Sequence, residues 1–281
     1  MIKLVLSDVD GTLIPLGSGK ASERTMEAIR CVKAAGVRFG LATGRDVSEL
    51  LMLFNGSDTA FQTGILSNGK KIYVDGRLER LTLIENEALL RVAREIASYP
   101  DTMVTAYPLE SDAANSIYCM GVTQEEADRW AQTYSFNGIM VDEFPPVQII
   151  GSTIACNAGQ DVLDKIDHLV RVECPEFDLG KPSARWWDIL PAGLNKGTAL
   201  TMLMQILNVT PDEVVMFGDA GNDLAILTAV ENSVAVANAT PEAKAASRFH
   251  IGSVDDEAVA DALFDIARAT GEGRLPDFMR D

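Results

Sequence analysis

Apolar and polar positions follow two rhythms along this chain. Ile2-Lys3-Leu4-Val5-Leu6 is an apolar run carrying one charge, the pattern of a strand buried on both faces, and Gly11 ends it in a turn. A helix is expected from about Ser22 to Ala35, stopped by Gly36. Val37 to Ala42 reads as a second buried strand, ending at Thr43-Gly44-Arg45. Asp46-Val47-Ser48-Glu49 has capping-box spacing and opens another helix, and Gly64 to Ser67 is a short strand ending at Asn68-Gly69. Alternating strands and helices predict a parallel sheet with crossover helices.

That rhythm changes after about Gly76. Lys71 to Leu83 reads as extended chain around the Asp75-Gly76 turn. A helix over 85–98, strands over 102–106 and 116–120, a helix opening at Thr123, a strand over 147–155, a helix over 160–172 and a strand over 184–190 follow. Adjacent strands instead of strict alternation predict an α+β domain with an antiparallel sheet. From Asn195 the first rhythm resumes, with a helix over 195–207, strands at Val214 to Phe217 and Ser233 to Ala237, and a helix at about 256–269. The tail after Gly271 is expected to be loosely held. The fold class is therefore α/β: a doubly wound, mostly parallel, Rossmann-like sheet formed by 1–80 and 191–281, with an α+β domain inserted at 81–190.

Length and composition change this picture little. A chain of 281 residues, 47% hydrophobic and 23% charged, is an ordinary globular sequence long enough for two domains. The formal charge does matter. With 41 acidic and 24 basic residues it is −17, which argues against nucleic acid and against an anionic membrane, since both require a basic footprint. No apolar run reaches membrane-spanning length, and the opening strand leaves no room for a cleaved signal. Cys31, Cys119, Cys156 and Cys174 lack metal or redox spacing, so reduced thiols in a cytoplasmic protein are expected.

Candidate chemistry collects at the ends of the buried runs. Continued strand alternation would put Asp8 and Asp10 on one side, with Val9 facing away. Thr43-Gly44, Asp219 with Asn222-Asp223, and Lys196 at a helix start fall at comparable places, and a parallel sheet brings such positions to one edge. Clustered carboxylates suit a hard cation such as Mg²⁺ that keeps positions open for phosphate oxygens. Thr43 offers a hydroxyl and backbone donors to an anion, and Lys196 a point charge, an inventory that fits phosphoryl transfer. Arg45 fits either a substrate contact or a structural ion pair. His168 and His250 lie far from these motifs and read as surface or core residues.

The set Asp8-Val9-Asp10-Gly11-Thr12, Thr43-Gly44-Arg45, Asn195-Lys196-Gly197 and Gly218-Asp219-Ala220-Gly221-Asn222-Asp223 resembles the four motifs of the haloacid dehalogenase-like phosphatases, in their Cof-type branch with a large α/β cap. The resemblance covers essentially the whole chain. One stretch departs from it: Ala235-Val236-Ala237-Asn238-Ala239 stands where Ala-Met-Gly-Asn-Ala is commoner. The resemblance implies that Asp8 is the nucleophile and forms an aspartyl-phosphate, and that Asp10 protonates the leaving alcohol and then activates water. It implies Mg²⁺ held by Asp8, the Asp10 backbone carbonyl and Asp219, with Asp223 in support. Thr43, the Val9 and Gly44 backbones, Lys196 and Asn222 would hold the phosphoryl oxygens. The substrate class it implies is small phosphorylated metabolites, with sugar phosphates first. A phosphomutase or phosphotransferase on the same fold, and a phospho-ligand-binding regulator without turnover, are the alternative functions.

Overall fold

The computed structural model describes residues 1–109, 116–134, 137–180 and 184–280, with the side chains of 131–134 outside the description. The chain divides into two compact units, Met1–Leu81 with Asn195–Asp281, and Thr82–Leu194. In chain order the first unit opens with β1 (Leu4–Ser7), α1 (Glu23–Ala34), β2 (Arg38–Ala42), α2 (Val47–Leu53), β3 (Gly64–Leu66), β4 (Lys71–Val74) and β5 (Arg77–Leu81). The second unit holds α3 (Asn86–Ile96), β6 (Thr102–Pro108), β7 (Ser116–Met120), α4 (Gln124–Tyr134), β8 (Asn137–Met140), β9 (Ile149–Cys156), α5 (Gln160–His168), β10 (Phe177–Gly180) and β11 (Trp186–Pro191). The first unit then resumes with α6 (Lys196–Leu207), β12 (Val214–Gly218), α7 (Leu224–Leu227), β13 (Asn232–Ala235), α8 (Pro241–Ala246), β14 (Phe249–His250) and α9 (Ala258–Glu272).

The first unit is the doubly wound α/β sheet that its hydrophobic runs predict, with strand order β14-β13-β12-β1-β2-β3-β4-β5. Pairing is parallel from β14 to β3, and the β4–β5 hairpin adds an antiparallel edge. All four residues of β1 are buried, because helices cover both faces of the sheet. Register does the work that matters for function: Ser7 lies beside Phe217 on one flank and beside Leu41 on the other. The residues that follow each strand, Asp8, Asp219 and Thr43, therefore emerge at one edge. Caps fix where the helices begin. Asp46 and Glu49 form the expected capping box of α2, and the Asn195 side chain accepts from the Gly197 and Thr198 N–H groups at the start of α6.

The second unit is a six-stranded sheet of order β10-β11-β9-β6-β7-β8. It is mixed and not antiparallel throughout, since β7 and β8 run parallel with α4 as their connection. The short strands β8 and β10 are absent from the sequence reading because four residues at a sheet edge carry too little pattern. α5 ends at His168 and continues as a π-helical turn, Leu169–Glu173. Trp186 and Trp187 face opposite sides of β11, as alternation requires: Trp187 is buried among the side chains of α3 and α5, and Trp186 lies against Trp130. No helix among the described residues is long and apolar enough to cross a membrane.

The expectation of a loose tail is overturned. Phe278 packs against Phe217 and Phe249, with ring centroids 6.1 and 6.4 Å away, and Met279 is buried. Arg268 and Arg274 pair with Asp277 at 2.8 and 2.9 Å. The anchor is a contact with a strand some sixty positions earlier, which no local periodicity reports. Replacing Phe278 by Ala is expected to lower unfolding free energy by about 1–3 kcal/mol, less than for a fully buried ring, measured as a shift of the urea midpoint at unchanged slope.

Candidate active site

The edge formed by the ends of β1, β2 and β12 is where the carboxylates meet. Asp8, Asp219 and Asp223 each offer an oxygen, and these atoms all lie within 4.8 Å of one another. Beneath them is Lys196, 1% exposed, whose Nζ donates to Asp8 Oδ1 and to Asp223 Oδ1, both at 2.7 Å. Its position depends on Gly197: a Cβ there would lie 2.5 Å from the Ala225 carbonyl oxygen, so only glycine lets the start of α6 come this close. Gly11 plays the matching part above. It has φ +80°, and a Cβ would sit 2.8 Å from Asp219 Oδ2.

Each carboxylate has a distinct set of partners. Asp223 is wholly buried; its Oδ1 accepts from Lys196 and its Oδ2 from the Asp219 and Ala220 N–H groups, at 3.1 and 3.3 Å. Asp223 thus fastens Lys196 and the Asp219 turn together. The Thr12 hydroxyl donates to Asp219 Oδ1 at 2.7 Å. Among the described residues this leaves Oδ2 of Asp8 and of Asp219 for a cation, an all-oxygen donor set that fits a hard divalent ion.

Burial dominates the protonation of Asp8. Loss of solvent raises its pKa from the ordinary 3.8 to about 7; Lys196 opposes the rise, and the Asp223 and Asp219 charges add to it. Asp219 is raised as well, chiefly by burial and against the Thr12 hydrogen bond. Burial also works against the charge on Lys196, yet Asp8 and Asp223 together outweigh it and hold the ammonium above its usual value.

Thr43 is buried, and its Oγ1 accepts from the Arg45 N–H at 3.1 Å. Asn222 is exposed on a 3₁₀ turn, Gly221–Asp223, which leads into the single turn of α7. Asp10 does not join the buried carboxylates. β1 stops at Ser7, the chain turns through Val9 to Ile14, and strand alternation no longer governs where Asp10 points. Its two oxygens instead receive Arg45, Nε to Oδ2 at 2.7 Å and Nη2 to Oδ1 at 2.8 Å. Of the two readings open for Arg45, the geometry gives the ion pair.

Three contributors escaped the sequence reading. Thr12 was visible inside the first motif but carried no assigned role. Asn238, in the stretch that departs from the family pattern, donates its amide to the Gly11 carbonyl at 2.7 Å. Ser67, Asn68 and Gly69 have φ of 52°, 57° and 101°, three successive left-handed residues; Ser67 N–H donates to the Arg45 carbonyl and Asn68 N–H to that of Thr43, both at 3.0 Å. In the sequence, Asn68-Gly69 marks only the end of a short strand.

Comparison with known proteins identifies relatives of the whole chain. A family model described as haloacid dehalogenase-like hydrolase matches residues 5–263. The 5-amino-6-(5-phospho-D-ribitylamino)uracil phosphatase YbjI of Escherichia coli is 25% identical, over 93% of this chain and 95% of that protein. The HMP-PP phosphatase of Klebsiella pneumoniae is 27% identical, over 87% of this chain and 88% of its own length. Among solved structures, the phosphatase BT1666 of Bacteroides thetaiotaomicron superposes with a TM-score of 0.79 at 24% identity, covering 95% of each chain.

The raised Asp8 carboxyl gives a signed pH dependence. Folded Asp8 keeps its proton between about pH 4 and 7 while the unfolded chain has lost it, so stability falls as pH climbs through that window. In chelator-treated protein, Tm is expected to drop more from pH 5 to pH 8 in the wild type than in Asp8→Asn. Parallel curves for the two proteins would contradict this.

Proposed function

The chain belongs to the haloacid dehalogenase-like hydrolases, in their Cof-type branch, and we propose that it is a Mg²⁺-dependent phosphatase of small phosphorylated metabolites. The observation that carries this reading is Asp8, buried at the sheet edge, held through one oxygen by Lys196 and crowded by Asp219 and Asp223. A carboxylate so placed is a fixed nucleophile at the end of β1.

Asp8 attacks the phosphorus of a phosphomonoester, forming an Asp8 O–P bond while the P–O bond to the alcohol breaks. Asp10 gives its proton to the departing oxygen. In the second half a water attacks the aspartyl-phosphate, its proton passes to Asp10, and inorganic phosphate leaves with Asp8 regenerated. Acid–base assistance of this kind is typically worth about 10²–10⁴-fold. Lys196, Thr43, the Val9 and Gly44 backbones and Asn222 serve the phosphoryl oxygens. Asp8, Asp219 and the Asp10 carbonyl are the groups to hold magnesium, with Asp223 behind them. Bound there, the ion supplies the positive charge that lets a phosphate dianion approach these carboxylates.

Sugar and sugar-alcohol phosphates are the favoured substrates. A related phosphatase is named for a phosphoribityl compound, which carries a phosphorylated sugar alcohol. A net charge of −17 calls for a local reversal of sign, which magnesium and Lys196 would provide. Release of inorganic phosphate from a panel of sugar phosphates is expected with magnesium and not with excess chelator, and Asp8→Asn should lower turnover by at least about 10³-fold. Full activity in Asp8→Asn would dispose of the nucleophile.

A further inference from the structure

Arg45 makes more of its surroundings than an ordinary surface arginine. Its guanidinium meets Asp10 side-on, with one N–H to each carboxylate oxygen, and its third nitrogen reaches Glu49 at 3.3 Å. Glu49 is itself fixed, accepting from the Asp46 N–H at 3.0 Å within the α2 capping box. The Arg45 main chain is held on both sides, its N–H by Thr43 Oγ1 and its carbonyl by the Ser67 N–H of the left-handed loop. Besides its bond to Asp10, this residue is thus tied through backbone and fork to the end of β2, to α2 and to the loop after β3.

Strength alone does not explain the arrangement. The Arg45 and Asp10 side chains are 33% and 41% exposed, and a pair that open to solvent adds little to stability. What the fork does add is orientation, because two parallel N–H···O bonds make carboxylate and guanidinium coplanar and stop the carboxylate from turning about its Cβ–Cγ bond. One lone pair of each oxygen faces the fork, and each oxygen keeps a second for another partner.

We propose that Arg45 is a positioning residue: it sets the plane and location of the Asp10 carboxyl group so that one of its oxygens lies in line with the departing alcohol. The proposal rests on the reading of Asp10 as the acid–base group. The left-handed Ser67-Asn68-Gly69 loop and the Glu49 cap are then the rigid mounts of that arginine, and the strain in the loop has a use.

The test exploits the leaving group. A p-nitrophenolate departs without a proton, whereas an alkoxide needs one, and kcat/KM reports events only through alcohol release. Replacing Arg45 by Met should lower kcat/KM by about 10–10²-fold on an alkyl phosphate and by less than about threefold on p-nitrophenyl phosphate. Arg45→Lys, which keeps the charge but lacks the fork, should fall between Met and wild type on the alkyl ester. In an Asp10→Asn background the Arg45→Met change should cost almost nothing further on the alkyl ester, since the group it aims is gone. Circular dichroism should show all variants folded. Equal losses on both esters, or full additivity with Asp10→Asn, would overturn the positioning role. Asp10→Asn failing to distinguish the esters would overturn the acid–base reading, and the positioning role with it. A wild type that releases phosphate from neither ester would remove the phosphatase itself.

Discussion

An ammonium group buried between two carboxylates is the constraint around which the first unit is arranged. Lys196 donates to Asp8 and Asp223 at 2.7 Å each, and the three residues are at most 5% exposed. None of these charges would survive burial alone, and removing Lys196 would leave two carboxylates in the interior without their cation. The requirement reaches outward. Gly197 exists to bring α6 against Ala225, and Asp223 uses its second oxygen to hold the turn that presents Asp219.

The triad also sets the chemistry of the edge above it. Two carboxylates to one ammonium leave a negative surplus, to which Asp219 adds a third. Burial and mutual repulsion raise the pKa of Asp8 to about 7 and shift that of Asp219 in the same direction. A site of this kind is poised for a divalent cation, because cation and proton compete for the same oxygens. The net charge of −17 would repel an anion, but the field at the sheet edge is decided by the nearest groups.

Asp10 is organised on a different plan. It lies two residues from Asp8 in the chain, yet it is half-exposed and belongs to a network running through Arg45, Glu49 and the Ser67–Gly69 loop. The proposed nucleophile is fixed by burial and charge, the proposed acid–base group by its geometry beside Arg45. On that reading two carboxylates close in the chain are given different duties by different surroundings.

The sequence by itself determined the class of fold and the meeting place of the chemistry. Hydrophobic runs such as Leu4–Ser7 and Val214–Gly218, bounded by turn residues, read as strands covered on both faces, and parallel strands in register deliver Asp8, Thr43 and Asp219 to one edge. Residue type at strand ends is local information. Tertiary structure alone decided what depends on contacts between distant segments: that Lys196 is buried against Asp8, 188 residues away, that Arg45 grips Asp10, and that Phe278 ties down the tail. Periodicity describes which side of an element is apolar; it carries no record of which element lies opposite, and partners across a fold are fixed by the packing of the whole chain.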